Sequence, residues 1–336
     1  MREWLGVWLK DRWRYERALR SGEHGWLALR NRHDQLEPAP DGLGFDCRWT
    51  FTSDLHAARI QSSLARRVWR QALASAPIER APQPPAAAED PPQLSVVIGH
   101  RGLERLPLLL ATLESVAAQT GIALECLVVE QDEPSRIGSA LPSWVRHIPA
   151  PLSDPQAAYN RAHAFNVGAA AARAPVLLLH DNDMLIPREY GKRLLARLAR
   201  GYDIINPKRF VFYLCCQDSE AVLAREIPLR DLRPAEIVQN LEAGGSFAIR
   251  RSTYAELGGM DEGFVGWGGE DNEFWDRCLT RPTWTWGYEP LLHLWHAPQP
   301  LKDQHANPNV ERYRQRLQIP AEQRIRELRE IRHRDR

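Results

Sequence analysis

The sequence predicts an α/β fold around a mostly parallel, doubly wound sheet, and three apolar runs carry that prediction. They are LSVVIGH from Leu94, LECLVV from Leu124 and PVLLL from Pro175. Short continuous runs rich in valine, isoleucine and leucine are typical of strands buried on both faces. Helical spacing separates them, over Leu108 to Gln119 and from about Gln156 to Ala172. This alternation predicts βαβ units and a parallel sheet.

Composition limits the class of protein. The 336 residues are 43% hydrophobic, enough for one large domain or two small ones, and the net charge of +1 argues against a nucleic-acid-binding protein. None of the five cysteines has the spacing of a zinc site or a disulfide framework, so we expect a reducing, cytoplasmic location. We expect no membrane span, because no apolar run approaches the ~18 residues that one needs.

Residues 1–76 are predicted to form a small, mainly helical N-terminal region. Its first part, residues 1–36, is rich in tryptophan and arginine, and Trp4, Trp8 and Leu19 can share one helical face. Such a face suits peripheral contact with an anionic membrane, such as the inner membrane face. It equally suits packing against the body of the protein, and we favour packing.

A proline-rich linker at 77–92 separates this region from a main domain at 93–310. The main domain should contain further strands near Tyr202 to Leu214 and from Gly244 to Ile249. An arginine-rich helix is predicted at 311–336.

Acidic residues follow two of the three predicted strands. Glu130 and Asp132 come after the second strand, and Asp181 and Asp183 come after the third. Ligands of parallel sheets bind beyond the carboxyl ends of the strands, so we expect the site there. The Asp-Asn-Asp run offers the hard oxygen ligands that Mg²⁺ or Mn²⁺ prefers, particularly when a diphosphate completes the coordination.

Two histidines farther along, His293 and His296, are three residues apart. On a helix or turn both can reach one metal ion, whereas on a strand they point to opposite sides. A surface or core position is the commoner fate of a single histidine. Two of them downstream of an acidic pair predict a metal ligand.

The segment Gly258 to Cys278 contains six glycines and two tryptophans. Glycine costs about 0.5–1 kcal/mol relative to alanine inside a regular element, so this loop suits a backbone that passes close to a ligand. Glu270 and Asp271 should lie in the first turn of the next helix, where its dipole favours carboxylates. Either can be the general base for an acceptor hydroxyl, and Trp267 offers a flat face to a sugar ring. The alternative is an ordinary capped helix after a tight turn.

Five motifs between Leu94 and Pro308 resemble GT-A glycosyltransferases, particularly the β-1,4-galactosyltransferases and bacterial chondroitin-polymerase-type (family 2-like) transferase domains. They occur in the same order: Tyr159-Asn160-Arg161-Ala162 with Asn166-Val167-Gly168, Asp181-Asn182-Asp183 with Ile186-Pro187, Gly244-Gly245-Ser246, Gly266-Trp267-Gly268-Gly269-Glu270-Asp271, and His296 before Asn307-Pro308-Asn309.

The resemblance implies an inverting transferase that moves a hexose of the galactose, N-acetylgalactosamine or glucose type from a UDP-sugar. The acceptor would be a hydroxyl of a carbohydrate, glycolipid or glycoprotein, as in polysaccharide biosynthesis, and the cofactor Mn²⁺ or Mg²⁺. The resemblance implies that Asp183 and His296 ligate the metal and that the donor site lies near Arg101, Arg161, Asp181 and Gly245, with Asp132 or Glu130 near the uridine. It implies that Trp267 contacts the donor phosphate and the acceptor sugar and that Glu270 binds sugar hydroxyls. Asp271 would be the general base.

The chain also departs from that pattern. His293 stands where the resembling enzymes usually have a methionine metal ligand, so it either changes the metal preference or does not ligate. Glu242 stands just before the glycine pair, where an aromatic residue is usual, so galactose specificity does not follow. Residues 1–90 have no counterpart, and neither a membrane anchor nor disulfides are expected.

Three other functions fit parts of the same pattern less well than transfer does. A non-catalytic carbohydrate- or nucleotide-binding module has no need of a base, so Glu270 and Asp271 argue against it. A metal hydrolase built on His293 and His296 lacks the glutamate of a HExxH helix. A nucleotidyltransferase should have a glycine-rich loop after the first strand, where Gly99-His100-Arg101-Gly102 is only a partial match.

Overall fold

The computed structural model describes residues 2–84, 91–154, 156–239, 244–298 and 307–334. The strands in this part of the chain are β1 (Gln35–Pro38), β2 (Phe45–Arg48), β3 (Leu94–His100), β4 (Leu124–Glu130), β5 (Val145–Pro149), β6 (Val176–His180), β7 (Met184–Leu185), β8 (Ile204–Ile205), β9 (Lys208–Tyr213), β10 (Glu236–Gln239), β11 (Ser246–Arg250), β12 (Thr283–Trp284) and β13 (Glu289–His293). The α-helices are α1 (Arg2–Lys10), α2 (Arg12–Arg20), α3 (His56–Ile60), α4 (Ser62–Ser75), α5 (Leu106–Ala117), α6 (Arg161–Ala171), α7 (Tyr190–Leu198), α8 (Cys216–Leu223), α9 (Arg251–Glu256), α10 (Glu270–Cys278), α11 (Pro308–Leu317) and α12 (Ala321–Arg334).

The central sheet has seven strands in the order β12-β8-β11-β6-β3-β4-β5. Strands β6, β3, β4 and β5 are mutually parallel, which confirms the predicted βαβ series. Strand β11 is antiparallel to both of its neighbours, β6 and β8. The sheet is therefore mostly parallel, with one reversed strand that enters beside β6.

Helices cover both faces of this sheet, as a doubly wound arrangement requires. Val96 and Ile98 of β3 face one apolar cluster with α5 and α7. Val97 of the same strand faces the other cluster, to which α6 contributes Phe165 and α10 contributes Phe274. Successive side chains of a strand point to opposite faces, so a run buried on both sides must be apolar throughout. All seven residues of β3 are buried.

A second sheet, in the order β10-β9-β13-β7, shares its core with the N-terminal helices. The Trp69 ring lies 4.9 Å from that of Phe212, and the Trp69 indole N–H donates to the Leu229 carbonyl. Residues 2–76 pack against this sheet through side chains such as Tyr15 and Trp26. Most of the face expected to pack does not, because Trp4 and Trp8 are 48% and 44% exposed.

Several boundaries differ from the sequence prediction for local reasons. Helix α6 begins at Arg161 rather than near 156, because the Asn160 side chain accepts from the His163 N–H and caps it. The predicted C-terminal helix is two helices, α11 and α12, separated at Pro320, which lacks a backbone donor. Part of the predicted linker, 85–90, lies outside the described residues. Within those residues, no helix combines the length and apolarity needed to cross a membrane.

Candidate active site

Metal-ligating residue types meet at the pairing of β7 with β13. His293 at the end of β13 is paired with Met184, and the Leu294 N–H donates to the Asp183 carbonyl at 2.8 Å. One ligand atom from each of Asp183, His293 and His296 lies within 4.8 Å of the others. Strand β13 ends at His293, so the chain turns and both histidines reach the carboxylate. We call this set the metal corner.

Arg105, in the turn after β3, contacts the same groups. Its guanidinium donates to Asp183 Oδ2 at 2.9 Å and to Asn182 Oδ1 at 3.2 Å, and it lies 2.9 Å from His296 Nδ1. A side-chain cation therefore lies against the candidate ligands. Its segment was predicted only as the approach to a helix, so this contact was not expected from the sequence.

Two buried polar atoms of the metal corner, Asp183 Oδ1 and His293 Nδ1, have no hydrogen-bond partner among the described residues. Burial opposes the charge of Asp183, but His293, Arg105 and His296 together hold its pKa below the ordinary value. Burial also lowers the pKa of His293, which favours the neutral, ligating form. A carboxylate oxygen together with imidazole nitrogens suits a divalent cation.

Glu270 and Asp271 lie in the first turn of α10, as predicted. The Glu270 side chain is 8% exposed and that of Asp271 is 22% exposed. Burial raises the pKa of Glu270, even though Arg161 lies 3.7 Å away. Arg161 also donates to Asp271 and, at 2.8 Å, to Asp181 Oδ1. We call Glu270, Asp271, Arg161 and Asp181 the base corner, and a single residue, Asn182, separates Asp181 from Asp183 of the metal corner.

The glycine pair before β11 makes room for this arrangement. Gly244 has φ +77, and a Cβ there would lie 2.6 Å from Asp271 Oδ2. Gly245, also at positive φ, accepts a hydrogen bond from the Asp181 N–H at 2.8 Å through its carbonyl. A side chain at Gly244 would crowd Asp271, and a Cβ at Gly245 would lie 2.9 Å from Met184 Cε.

Trp267 is 41% exposed, and its backbone is held from behind. Its carbonyl accepts from the side-chain amides of Asn307 and Asn309, both at 3.1 Å. The predicted Asn-Pro-Asn motif therefore fixes the loop that carries Trp267. Trp295, between the two candidate histidine ligands, is 42% exposed and was not predicted as a site residue.

The candidate nucleotide residues lie after β3 and β4 but are engaged internally. Glu130 accepts from Ser135, from the backbone N–H groups of 136 and 137, and from His147. Burial opposes its charge, and these donors lower its pKa. Asp132 accepts from the Gly102 N–H at 2.7 Å, and Arg101 donates to the Ala157 carbonyl. Glu130, Asp132 and Arg101 therefore order the loops after β3 and β4, and their contact with a nucleotide stays a prediction. Glu242 lies outside the described residues.

Two family models match this chain. The model for glycosyl transferase family 2 matches residues 103–258, and the model for the N-terminal domain of galactosyltransferase matches residues 239–283. No curated protein matches the sequence significantly.

Solved structures resemble the fold more distantly. The catalytic domain of Drosophila β1,4-galactosyltransferase 7 with xylobiose has a TM-score of 0.41 at 19% identity, over 66% of this chain and 79% of that one. A mutant of the same enzyme with manganese, UDP-Gal and xylobiose gives 0.40 at 17% identity, over 65% and 79%. GalNAc-T7 with UDP, GalNAc and Mn²⁺ gives 0.48 at 18% identity, over 69% and 48%. These likenesses do not extend to substrate or mechanism.

The two family matches overlap over residues 239–258, which include the glycine pair Gly244-Gly245. The region they cover contains the parallel strands β4, β5 and β6, together with Asp183 and the Glu270-Asp271 pair. The fold is GT-A-like, residues 103–283 are a glycosyltransferase domain, and the protein is a transferase enzyme of that class.

Proposed function

We propose that the enzyme transfers a hexose from a UDP-sugar to an acceptor hydroxyl, with inversion and formation of a β-linkage. The observation that carries this proposal is that two different corners adjoin through Asp181-Asn182-Asp183, with Asp181 in one and Asp183 in the other. One corner presents a carboxylate and two imidazoles with unsatisfied buried acceptors. The other presents two carboxylates at a helix start. A base on one side and a cation site on the other suit displacement of a diphosphate by a hydroxyl.

In this proposal Asp183, His293 and His296 would hold Mn²⁺ or Mg²⁺. The cation, when bound, supplies positive charge that stabilises the leaving UDP diphosphate. The two imidazoles together with one carboxylate are softer than an all-oxygen site, which favours Mn²⁺ over Mg²⁺.

Asp271 is proposed as the general base, rather than Glu270, because its side chain is the more exposed of the two. It takes the proton of the acceptor hydroxyl while that oxygen forms the new bond to C1 of the sugar. The bond from C1 to the diphosphate oxygen breaks, and UDP leaves with the electron pair. The neighbouring Arg161 guanidinium favours the ionised carboxylate before the proton arrives.

Glu270 would accept hydrogen bonds from sugar hydroxyls, and Trp267 with Trp295 would offer apolar faces to sugar rings. The buried Glu270 Oε2 has no hydrogen-bond partner among the described residues, which supports a ligand contact there. Both tryptophans are more than two-fifths exposed. We propose a carbohydrate, glycolipid or glycoprotein as the acceptor.

A reducing, cytoplasmic location belongs to the same proposal. All five cysteines are free thiols, and three of them, Cys47, Cys126 and Cys278, are buried. Free buried thiols are common in proteins of reducing compartments.

The test is UDP release from UDP-galactose, UDP-N-acetylgalactosamine and UDP-glucose, with Mn²⁺, with Mg²⁺ and with a chelator. We expect one donor to give metal-dependent release that rises when an acceptor is added. UDP binding without release from any donor would contradict transfer and would support the non-catalytic module instead.

A further inference from the structure

The surface of the N-terminal helices exposes an unusual concentration of large apolar side chains. Trp4 is 48% exposed, Trp8 44% and Trp13 57%, and Leu5 and Leu9 are also exposed. Fourteen large apolar residues are exposed in the described part of the chain, and these five lie within ten consecutive positions. Contiguous apolar surface of this kind marks an interaction site more often than single exposed residues do. We call these five residues the N-terminal apolar face.

Helix geometry places the apolar residues of α1 on one side of the helix and its buried residue on another. At 3.6 residues per turn, Trp4, Leu5, Trp8 and Leu9 occupy an arc of ~140° on α1. Val7 lies outside that arc and is the buried residue of the helix. The Gln61 side-chain amide donates to the Trp4 carbonyl at 3.3 Å, which ties α1 to the body of the protein. The helix is anchored by one side and presents its apolar side to solvent.

Charge on the same helices points to the partner. Residues 1–20 contain six basic and three acidic residues, a net of +3, so the remainder of this +1 chain has a net of −2. Asp11 is paired with Arg14 and Arg32, and Glu16 with Arg20 and Arg67. Two of the three acidic groups, Asp11 and Glu16, are thus paired within the protein, and the net charge of residues 1–20 is positive.

An open groove of ≈ 720 Å³ brings the apolar and basic side chains together. It is lined by Trp8, Leu9, Arg12, Trp13, Glu16, Arg17, Arg20 and Ser21, so three arginines face one carboxylate. The Arg12 guanidinium lies 5.8 Å from the centre of the Trp8 ring. Indole rings prefer the headgroup level of a bilayer, and guanidinium groups bind phosphate oxygens.

We propose that the N-terminal apolar face docks on the interfacial region of an anionic phospholipid bilayer. The tryptophans and leucines insert at the headgroup level, and Arg12, Arg17 and Arg20 contact lipid phosphates. A second copy of this chain fits less well, because each copy would bring a net positive surface to the contact. This proposal is independent of the proposed reaction, since no residue of the face lies in the metal corner or the base corner.

The experiment is co-sedimentation of the full chain with phosphatidylcholine vesicles, with and without phosphatidylglycerol. The apolar variant is Trp8→Ser with Trp13→Ser, and the charge variant is Arg12→Glu with Arg17→Glu. Matched controls are Phe51→Ser with Leu317→Ser and Arg326→Glu with Arg329→Glu, which alter exposed residues elsewhere. Deleting the segment would also remove the buried Val7 and Tyr15, so substitutions are preferable.

We expect wild type to bind the anionic vesicles at least about tenfold more tightly than the neutral ones, and less tightly at high salt. Both face variants should lose about tenfold or more on anionic vesicles, while both controls bind like wild type. Equal loss in face and control variants, or no binding to either vesicle, would overturn the proposal. Concentration-dependent dimerisation that the face variants abolish, without vesicle binding, would assign the face to a second copy. UDP release in solution reports the reaction separately, and the face variants should leave it unchanged.

Discussion

The metal corner and the base corner each place an arginine against an aspartate, but they differ in which other groups surround that pair. In the metal corner, Arg105 donates to one oxygen of Asp183, and the other oxygen and one nitrogen of His293 have no hydrogen-bond partner among the described residues. In the base corner, Arg161 bridges Asp271 and Asp181 with a side chain that is 12% exposed. The metal corner sets one guanidinium against one carboxylate, whereas the base corner sets one guanidinium against three carboxylates. The metal corner therefore differs by its imidazole nitrogens, which suit a cation, and the base corner by its excess of carboxylates, which suits a proton acceptor.

The largest effect should come from breaking the base corner at its reactive atom. Asp271→Asn keeps the size of the side chain and removes the proton acceptor, so we expect the turnover rate to fall by about a thousandfold. UDP binding, measured by calorimetry, should change little, because the metal corner is untouched. Glu270→Gln is the matched control, and it should affect the Michaelis constant of the donor or acceptor more than turnover. A variant Asp271→Asn that turns over normally would remove Asp271 from the base role.

A smaller effect, about a hundredfold, is expected from the metal corner. Asp183→Asn removes the only carboxylate among the three candidate ligands, so Mn²⁺-dependent UDP binding should weaken by that factor. Calorimetry with and without chelator measures it. Asp203→Asn is the matched control, since Asp203 pairs with Arg250 away from the cleft. If chelator still weakens UDP binding equally in wild type and Asp183→Asn, the metal lies elsewhere.

Replacing Arg105 should strengthen metal binding, whereas replacing Asp183 should weaken it. Its guanidinium lies against the same ligands that a cation would use, so the two positive charges compete. Arg105→Leu should therefore bind Mn²⁺ about tenfold more tightly than wild type when UDP is absent, as measured by paramagnetic resonance of free Mn²⁺. Arg101→Leu is the matched control, because Arg101 donates to the Ala157 carbonyl rather than to a ligand. Weaker Mn²⁺ binding by Arg105→Leu would mean that Arg105 supports the ligands instead of competing.

Local pattern predicted the parts of the site that follow strands and begin helices. The apolar run of β6 placed Asp181 and Asp183 at a strand end, and the glycine-rich loop placed Glu270 and Asp271 in a first helical turn. Both predictions depend on periodicity within one element, which the sequence expresses directly.

Long-range pairing accounts for what the sequence did not predict. The turn that lets His293 and His296 approach one carboxylate depends on β13 pairing with β7, more than one hundred positions earlier. The place of Arg105 depends on how the turn after β3 meets that pair. The split of the N-terminal tryptophans, with Trp26 buried and Trp8 exposed, depends on which face the second sheet covers. None of these contacts has a periodicity of its own.

The smallest effect concerns stability, and it comes from Lys208, a buried lysine that interacts with Asp181 of the base corner. Its ammonium group is buried and donates to the Ser246 carbonyl at 2.7 Å. Burial lowers its pKa from 10.5 to about 7, although Asp181 works in the opposite direction. Below pH 7 the folded protein therefore carries the cost of a buried charge. Between pH 7 and 10.5 the folded state has released a proton that the unfolded state retains, so this cost declines as pH rises.

Lys208→Met should remove that pH dependence. The variant should exceed wild type in free energy of unfolding most at pH 6 to 7, and the gap should narrow by up to about 1.4 kcal/mol per pH unit above pH 7. Urea denaturation of both proteins at a series of pH values measures the gap. Buried groups that do not interact with Lys208 titrate equally in the two proteins and cancel in the difference. A difference in free energy of unfolding that stays constant from pH 6 to 9 would show that Lys208 remains charged. Asp181 would then stabilise the charge of Lys208 as well as that of Arg161.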